Sequence, residues 1–240
     1  PGLLPEVVPV GTPIGQVSSQ AAIALGIPAG ITIAAGTTDG CATFLASGAT
    51  EPGEASTALG STIVLKLLSD RPIFAPELGI YSHRLGDTWL AGGASNCGGK
   101  TLLQFFSQEQ LASLESSLDP AKPTGNDYYP LPSVGERFPV SDSKLAPRLT
   151  PRPADDAQFL QGIYEAFARV EQTGFAKLTA LGGPTLRNVR HAGGGSRSAA
   201  WMSLRASALG VPQLPAWSEE AAAGAARLAW RSLGHEIAFT

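Results

Sequence analysis

Residues 189–201 read Val189-Arg190-His191-Ala192-Gly193-Gly194-Gly195-Ser196-Arg197-Ser198-Ala199-Ala200-Trp201. Val189 to Ala192 is a short β-branched and apolar run, so a strand is predicted there. A helix is predicted from Ser198 to Leu209, stopped by Gly210. Glycines between a strand and a helix let the backbone lie against a flat or charged ligand. The helix start adds N–H groups and a partial positive charge suited to an anion. Trp201 could then cover an adenine ring. The plainer reading is a tight strand–helix junction with Trp201 as a core aromatic. The stretch matches neither the Walker pattern nor the full dinucleotide pattern, because no Gly-Lys-Ser/Thr follows and no third spaced glycine appears.

On either side of this stretch, strands and helices alternate. Downstream, Val211 to Leu214 reads as a last strand and Glu219 to Leu233 as an alanine-rich helix whose small residues allow close approach. Upstream, Asp155 to Leu181 carries apolar residues at three- and four-residue steps (Phe159, Leu160, Ile163, Phe167, Val170, Leu178), the pattern of an amphipathic helix. Before it, Leu118 to Pro153 is dense in proline and without period. We read it as a surface connection with one short strand at Tyr128-Tyr129; it is long for a structureless loop, which points to docking on the body or to a function. Strands are expected at Ala55 to Leu59 and Ile63 to Leu68, joined by Gly60-Ser61-Thr62, and at Gly79 to Leu85 and Thr88 to Ala91, joined by Gly86-Asp87. A helix is expected near Thr101 to Phe106. At the start, a helix over residues 17–26 is capped by Ser18 or Ser19 and stopped by Gly26. A buried strand follows at Ile31 to Ala35, then Gly36-Thr37-Thr38-Asp39-Gly40 and a small-residue helix from Cys41 to Gly48. The class is mixed α/β.

Composition limits the function. The chain has 240 residues, 43% hydrophobic and 15% charged, with 28 glycines and 19 prolines in no period. Disorder as a general state and collagen are excluded. A net charge of -3 and a pI near 5.6 leave no bulk attraction to nucleic acid or anionic membrane. Residues Val7 to Thr38 are uncharged, but prolines 9, 13 and 28 and a polar group interrupt them, so no membrane span is expected. Residues Pro1 to Glu6 lack the basic start and apolar run of a signal peptide. The abrupt start without methionine makes a fragment or a processed chain the expectation. Cys41 and Cys97 are expected as free thiols of a reducing compartment. The three histidines (83, 191 and 235) show no metal-ligand spacing. No Gly-x-Ser-x-Gly elbow is present, which sets hydrolase chemistry aside.

Four places can carry chemistry. Asp39 follows an apolar strand, where α/β folds bind ligands outside the strands' carboxyl ends; it reads as a helix N-cap or as a base accepting a proton from a substrate hydroxyl. Gly60-Ser61-Thr62 can present N–H groups and hydroxyls to a phosphate, or be an ordinary turn. The third is the glycine stretch quoted above. The fourth, Gly92 to Gly99, lines a cleft or forms a bend.

The order of these motifs resembles the FGGY carbohydrate kinases, and most of all the xylulokinase/ribulokinase branch of short plant and cyanobacterial type. The resemblance rests on Leu4-Pro5-Glu6-Val7, Ala21 to Gly30, Ala35-Gly36-Thr37-Thr38-Asp39, Leu59-Gly60-Ser61-Thr62, Gly193-Gly194-Gly195-Ser196 with Trp201, and Ala221 to Ala226. It implies an actin-like, ribonuclease-H-like α/β ATPase fold with a mixed sheet and flanking helices. It also implies transfer of the γ-phosphate of ATP, with Mg2+, to a sugar hydroxyl, such as that of the ketopentoses D-ribulose or D-xylulose, in the cytoplasm. Residues 1–48 would be the end of the N-terminal domain with the interdomain segment, and 49–240 the C-terminal, nucleotide-binding domain. The rest of the N-terminal domain, with its Asp-x-Gly-Thr segment and most of the sugar pocket, is absent.

By the same resemblance, Asp39 is the catalytic base and touches the sugar. Gly60, Ser61 and Thr62 face the ATP phosphates, where the family usually has Gly-Thr-Ser. Gly194 and Gly195 flank the adenosine, and Trp201 lies near adenine. Ser198 stands where this branch often has asparagine, a departure at one nucleotide contact. No residue is assigned to the metal. Two other readings stay open: a non-catalytic actin-like nucleotide-binding module, and an inactive fragment whose uncovered apolar surface drives self-association into a homo-oligomer.

Overall fold

A computed structural model describes Leu3 and residues 5–235. Pro1, Gly2, Leu4 and residues 236–240 lie outside the described residues; this takes in Leu4 of the Leu4-Pro5-Glu6-Val7 motif. In chain order the elements are β1 (Pro13–Gln16), α1 (Ser19–Leu25), β2 (Thr32–Ala34), α2 (Asp39–Ser47), β3 (Glu54–Leu59), β4 (Ile63–Ser69), β5 (Tyr81–Leu85) and β6 (Thr88–Ser95). They continue with α3 (Gly99–Leu102), α4 (Gln108–Leu114), α5 (Asp156–Ala180), β7 (Asn188–Ala192), α6 (Ala199–Leu209), β8 (Gln213–Pro215) and α7 (Ala221–Ser232). The contacts divide the chain into two units. One takes in residues up to Gly48, Leu85–Asp87 and those from Trp217 on; the other takes in Ala49–Arg84 and Thr88–Ala216.

In the first unit, α2 is buried by α7. Cys41, Phe44, Leu45 and Ala46 are at most 4% exposed. The alanine-rich sequence of α7 makes this possible: a Cβ on Gly224 would stand 1.8 Å from the Ala42 carbonyl oxygen, so only glycine fits the crossing. Arg227 donates to the Leu45 carbonyl oxygen at 2.8 Å across the same seam. Helix α1 is closed as its sequence predicts, with the Ser18 hydroxyl accepting from Ala21 N and Gly26 in the left-handed region at φ 65°. The strand expected as buried, β2, is not: Ile33 is 42% exposed. It pairs antiparallel with β1, a strand the sequence reading did not foresee, and this two-stranded ribbon leaves a face open.

The second unit is a six-stranded mixed sheet in the order β5-β6-β4-β3-β7-β8. β3 pairs antiparallel with β4 and parallel with β7; β4 pairs antiparallel with β6, and β7 parallel with β8. The long helix α5 lies against β4 and β6 and packs against α6. Its predicted apolar stripe is buried, with Phe159, Leu160, Ile163, Phe167 and Leu178 at 0–1% exposure. Each such side chain contributes roughly 1.5–3 kcal/mol by leaving water. Asp155 caps the helix through Ala157 N. A buried ion pair ties the layers together: Arg205 of α6 holds Glu171 of α5 at 2.6 Å through two N–H groups, and Thr57 of β3 donates to the same carboxylate at 2.5 Å.

Three further expectations are corrected. β6 does not stop at Ala91 but runs on through Gly92-Gly93-Ala94-Ser95. Glycine there is a packing requirement and not a bend, since a Cβ on Gly92 would lie 2.0 Å from the Leu65 carbonyl oxygen. The Tyr128-Tyr129 strand is absent; a single bridge joins Tyr129 to Arg148. The proline-rich segment docks by side chains instead, burying Tyr128, Leu131 and Phe138 to 2% or less. The expected helix near Thr101 to Phe106 is the shorter α3. Helix α4 was missed, although its Ser107/Gln110 capping box was legible.

Candidate active site

The registers bring three loops to one end of the sheet. Leu59 faces Ile63 across the hairpin, Ala58 faces Ala192, and Ile63 faces Ser95. The Gly60-Ser61-Thr62 bend, the Gly193-Gly194-Gly195 loop and the Asn96-to-Gly99 loop therefore emerge side by side. This is the position where open α/β sheets bind ligands. Gly99 N donates to the Gly60 carbonyl oxygen at 2.9 Å and Lys100 N to that of Ser61 at 3.2 Å, which holds two of the loops to each other.

A cleft of about 660 Å³ opens at this end. Gly60, Ser61, Gly194, Gly195, Ser198 and Trp201 line it; Thr62 does not. Trp201 is 1% exposed and stacks on Tyr164, with ring centroids 5.0 Å apart and planes 11° from parallel. It lies directly under Gly195: a Cβ there would come within 2.3 Å of Trp201 Cζ3. Burial and the nearby Glu115 carboxylate push the Tyr164 hydroxyl up to about 12, so it is a neutral donor at physiological pH. Further wall comes from Leu102 at the end of α3 and Leu103 after it, Gln108, Leu111 and Ala112 of α4, and Glu115, none of which the sequence reading singled out. Gln108, Leu111 and Ala112 belong to the missed helix and Glu115 caps its end; the capping box at its start was the available signal. Of the Gly92 to Gly99 stretch, only Gly99 lines the cleft.

The start of α6 differs from expectation. The N–H groups of Ala200 and Trp201 are already taken from within the chain. Ser198 is the N-cap, accepting from Trp201 N at 3.0 Å. Its hydroxyl donates to Glu115, with 2.9 Å to each carboxylate oxygen, and Ala200 N donates to Glu115 Oε1 at 2.9 Å. An internal carboxylate fills the site that the helix dipole offers.

In the first unit, Asp39 is the opening residue of α2 and is exposed. The N-cap reading is corrected: the cap position belongs to Thr38, whose side chain makes no capping bond. Asp39 Oδ1 accepts from Gly40 N at 2.8 Å, leaving Oδ2 without a bond among the described residues. Burial of Cys41, Phe44 and Leu45 under α7 fixes the helix that carries it. Both cysteines are free and buried. Burial and the Glu136 carboxylate push the Cys97 thiol well above its ordinary range, which keeps it protonated. Among the described residues no group of three His, Cys, Asp or Glu stands together to hold a metal ion. No helix among them is long and apolar enough to cross a membrane.

Residues 55–233 match the C-terminal domain of the FGGY family of carbohydrate kinases. Among solved structures, a xyloylose kinase from Brucella ovis superposes with a TM-score of 0.86 at 27% identity, over 98% of this chain and 50% of that one. A xylulose kinase from Rhodospirillum rubrum gives 0.81 at 25% identity, over 99% and 50%. A glycerol kinase from Plasmodium falciparum, solved with ADP, shares the fold with a TM-score of 0.77 at 16% identity, over 97% and 48%. The chain thus spans about half the length of the solved proteins it matches. The fold is the expected actin-like, ribonuclease-H-like α/β class with its mixed sheet. With three quarters of its residues inside the matched domain, the chain belongs to the FGGY family of carbohydrate kinases.

Proposed function

We propose that this chain supplies the nucleotide-binding portion of an ATP-dependent kinase that phosphorylates a sugar hydroxyl, with a ketopentose such as D-ribulose or D-xylulose as acceptor. Residues 1–48 are read as the end of the N-terminal domain and 49–240 as the C-terminal domain. The observation that carries this reading is the cleft, where three glycine-containing loops meet at the strand ends of a domain whose family phosphorylates carbohydrates. The ketopentose is supported by the pentulose-type kinases among the similar structures. A cytoplasmic setting suits both substrates.

The cleft fits a nucleotide. Its volume lies in the range of small-molecule sites, and its glycines leave a trough that side chains would fill. Gly60 and Ser61 would face the phosphates with backbone N–H groups and a hydroxyl, and Thr62 would support the bend from outside the cleft. Gly194 and Gly195 would lie against the adenosine, with Trp201 as the floor beneath them. Ser198, fully engaged by Trp201 N and Glu115, would act through Glu115 and not as a direct base contact. Mg2+ arriving with ATP would offset phosphate charge; its ligands would be the phosphates and water. Asp39 would take the proton from the attacking hydroxyl, since its free Oδ2 is an acceptor at the tip of a rigid helix. Positioning and charge neutralisation supply most of the barrier lowering in such reactions.

The test is a coupled ADP-release assay over a sugar panel. The 240-residue chain alone should show no sugar-dependent release. The same chain joined to the preceding half of its own reading frame should show it, and Asp39→Asn in that longer protein should lower kcat by 10²-fold or more, an order of magnitude expected of a general base. Sugar-dependent release that survives Asp39→Asn unchanged would remove Asp39 from the mechanism.

A further inference from the structure

The cleft is electrically lopsided. Among its described lining residues, Glu115 is the single anion and Arg197 the single cation. Glu115 sits on the start of α6, where it accepts from Ser198 Oγ and Ala200 N. Arg197 is turned back along the glycine loop: its guanidinium reaches within 3.8 Å of where a Gly194 Cβ would stand. It makes no ion pair with Glu115 among the described residues.

A helix N-terminus normally draws a phosphate. Here a carboxylate takes the Ala200 N–H, and the Ser198 hydroxyl takes that of Trp201. A phosphate brought to the same place would face like charge in a partly dehydrated cleft, where repulsion is stronger than in bulk water. The carboxylate lines the cleft and has more acceptor sites than the two donors that reach it, so it suits a neutral hydrogen-bond donor. Nucleosides carry such donors on the exocyclic amine and on the ribose hydroxyls; phosphate tails carry none.

We infer that Glu115 is a specificity-determining residue of the cleft: it bars phosphate from the α6 end and accepts a hydrogen bond from the nucleoside, so that the phosphate tail is directed to the Gly60–Ser61 end. This inference rests on the reading of the cleft as a nucleotide site, which Gly60→Asp tests separately. Gly60 has open space around it, with nothing nearer to its Cβ position than the Thr62 carbonyl oxygen at 3.8 Å, so aspartate there adds charge without a clash.

The experiment is isothermal titration of the 240-residue chain with ADP and with tripolyphosphate, both without metal. Wild type should bind ADP at least tenfold more tightly than tripolyphosphate, and Gly60→Asp should weaken both. Glu115→Gln keeps an oxygen for Ala200 N, loses the charge and replaces the other acceptor oxygen by an NH2 donor; it should erase most of the ADP preference by strengthening tripolyphosphate and weakening ADP. Glu115→Asp keeps the charge and should keep tripolyphosphate weak, and it carries the test if the glutamine variant fails to fold. IDP and 2′-deoxy-ADP distinguish the donors: whichever loses about tenfold against ADP in wild type, and loses nothing in Glu115→Gln, has lost the group that Glu115 receives. An unchanged ratio of ADP to tripolyphosphate affinity in Glu115→Gln overturns the inference while the nucleotide reading stands. So does equal binding of ADP, IDP and 2′-deoxy-ADP by wild type. ADP binding that Gly60→Asp leaves intact, or no ADP binding at all, overturns the reading of the cleft and the inference with it.

Discussion

Trp201 carries two properties that its sequence context could not separate. It is a core aromatic, stacked on Tyr164 and tilted against Phe167, and it is also the floor of the cleft beneath Gly195. Its Nε1 is buried and has no hydrogen-bond partner among the described residues. An unpaired buried donor is a cost that phenylalanine removes, which offsets the packing lost with the smaller ring, so Trp201→Phe should leave stability within about 1 kcal/mol of wild type, whereas Trp201→Ala should cost about 3–5 kcal/mol through the cavity it leaves. Urea unfolding of both variants measures this. A Trp201→Phe loss as large as the alanine loss would mean that the indole N–H has a partner. Ser198 likewise could not be resolved in sequence, because an N-cap and a ligand contact ask for the same hydroxyl. Only the placement of Glu115, 83 residues earlier, shows where that hydroxyl goes.

Among the elements, caps and stripes were readable because they are local. Ser18, Asp155 and Ser198 each cap the helix that follows them, and the α5 stripe is buried as its spacing requires. The Arg205–Glu171–Thr57 cluster was not readable, since it joins three elements far apart in sequence. Arg205 and Glu171 are at most 1% exposed. Removing one partner strands the other in a dry interior, so Arg205→Met should destabilise by about 3–5 kcal/mol, and the double change Arg205→Met with Glu171→Leu should recover much of the loss. Denaturant midpoints for the two proteins give the answer; a double variant no better than the single one would mean that packing and not charge holds α5 to α6. Elements that depended on their neighbours were misjudged. β2 was expected to be buried from its apolar letters, yet its single partner strand leaves Ile33 open.

For the whole molecule, the cleft is the property that can be measured without chemistry. A ligand that binds only the folded unit raises its melting temperature by mass action. At a hundredfold excess over Kd the gain is about 2.7 kcal/mol, or roughly 5–10 °C for a domain of this size. ADP should produce such a shift in differential scanning calorimetry, for the transition of the unit that holds the cleft. Gly60→Asp should abolish it. A melt insensitive to ADP at millimolar concentration would leave the chain without the nucleotide site proposed for it.

The amino-acid order alone determined the alternation of strands and helices, the helix caps, the glycine loops and the family resemblance, because each depends on residues near one another in the chain or on motif order. The tertiary structure alone decided which loops share a cleft, since parallel pairing of β3 with β7 joins residues more than 130 positions apart. It also decided that α4 supplies a wall, which its capping box could not show, and that Glu115 rather than a ligand holds the start of α6. Such facts arise where backbone registers bring distant segments into contact, and no local pattern records them.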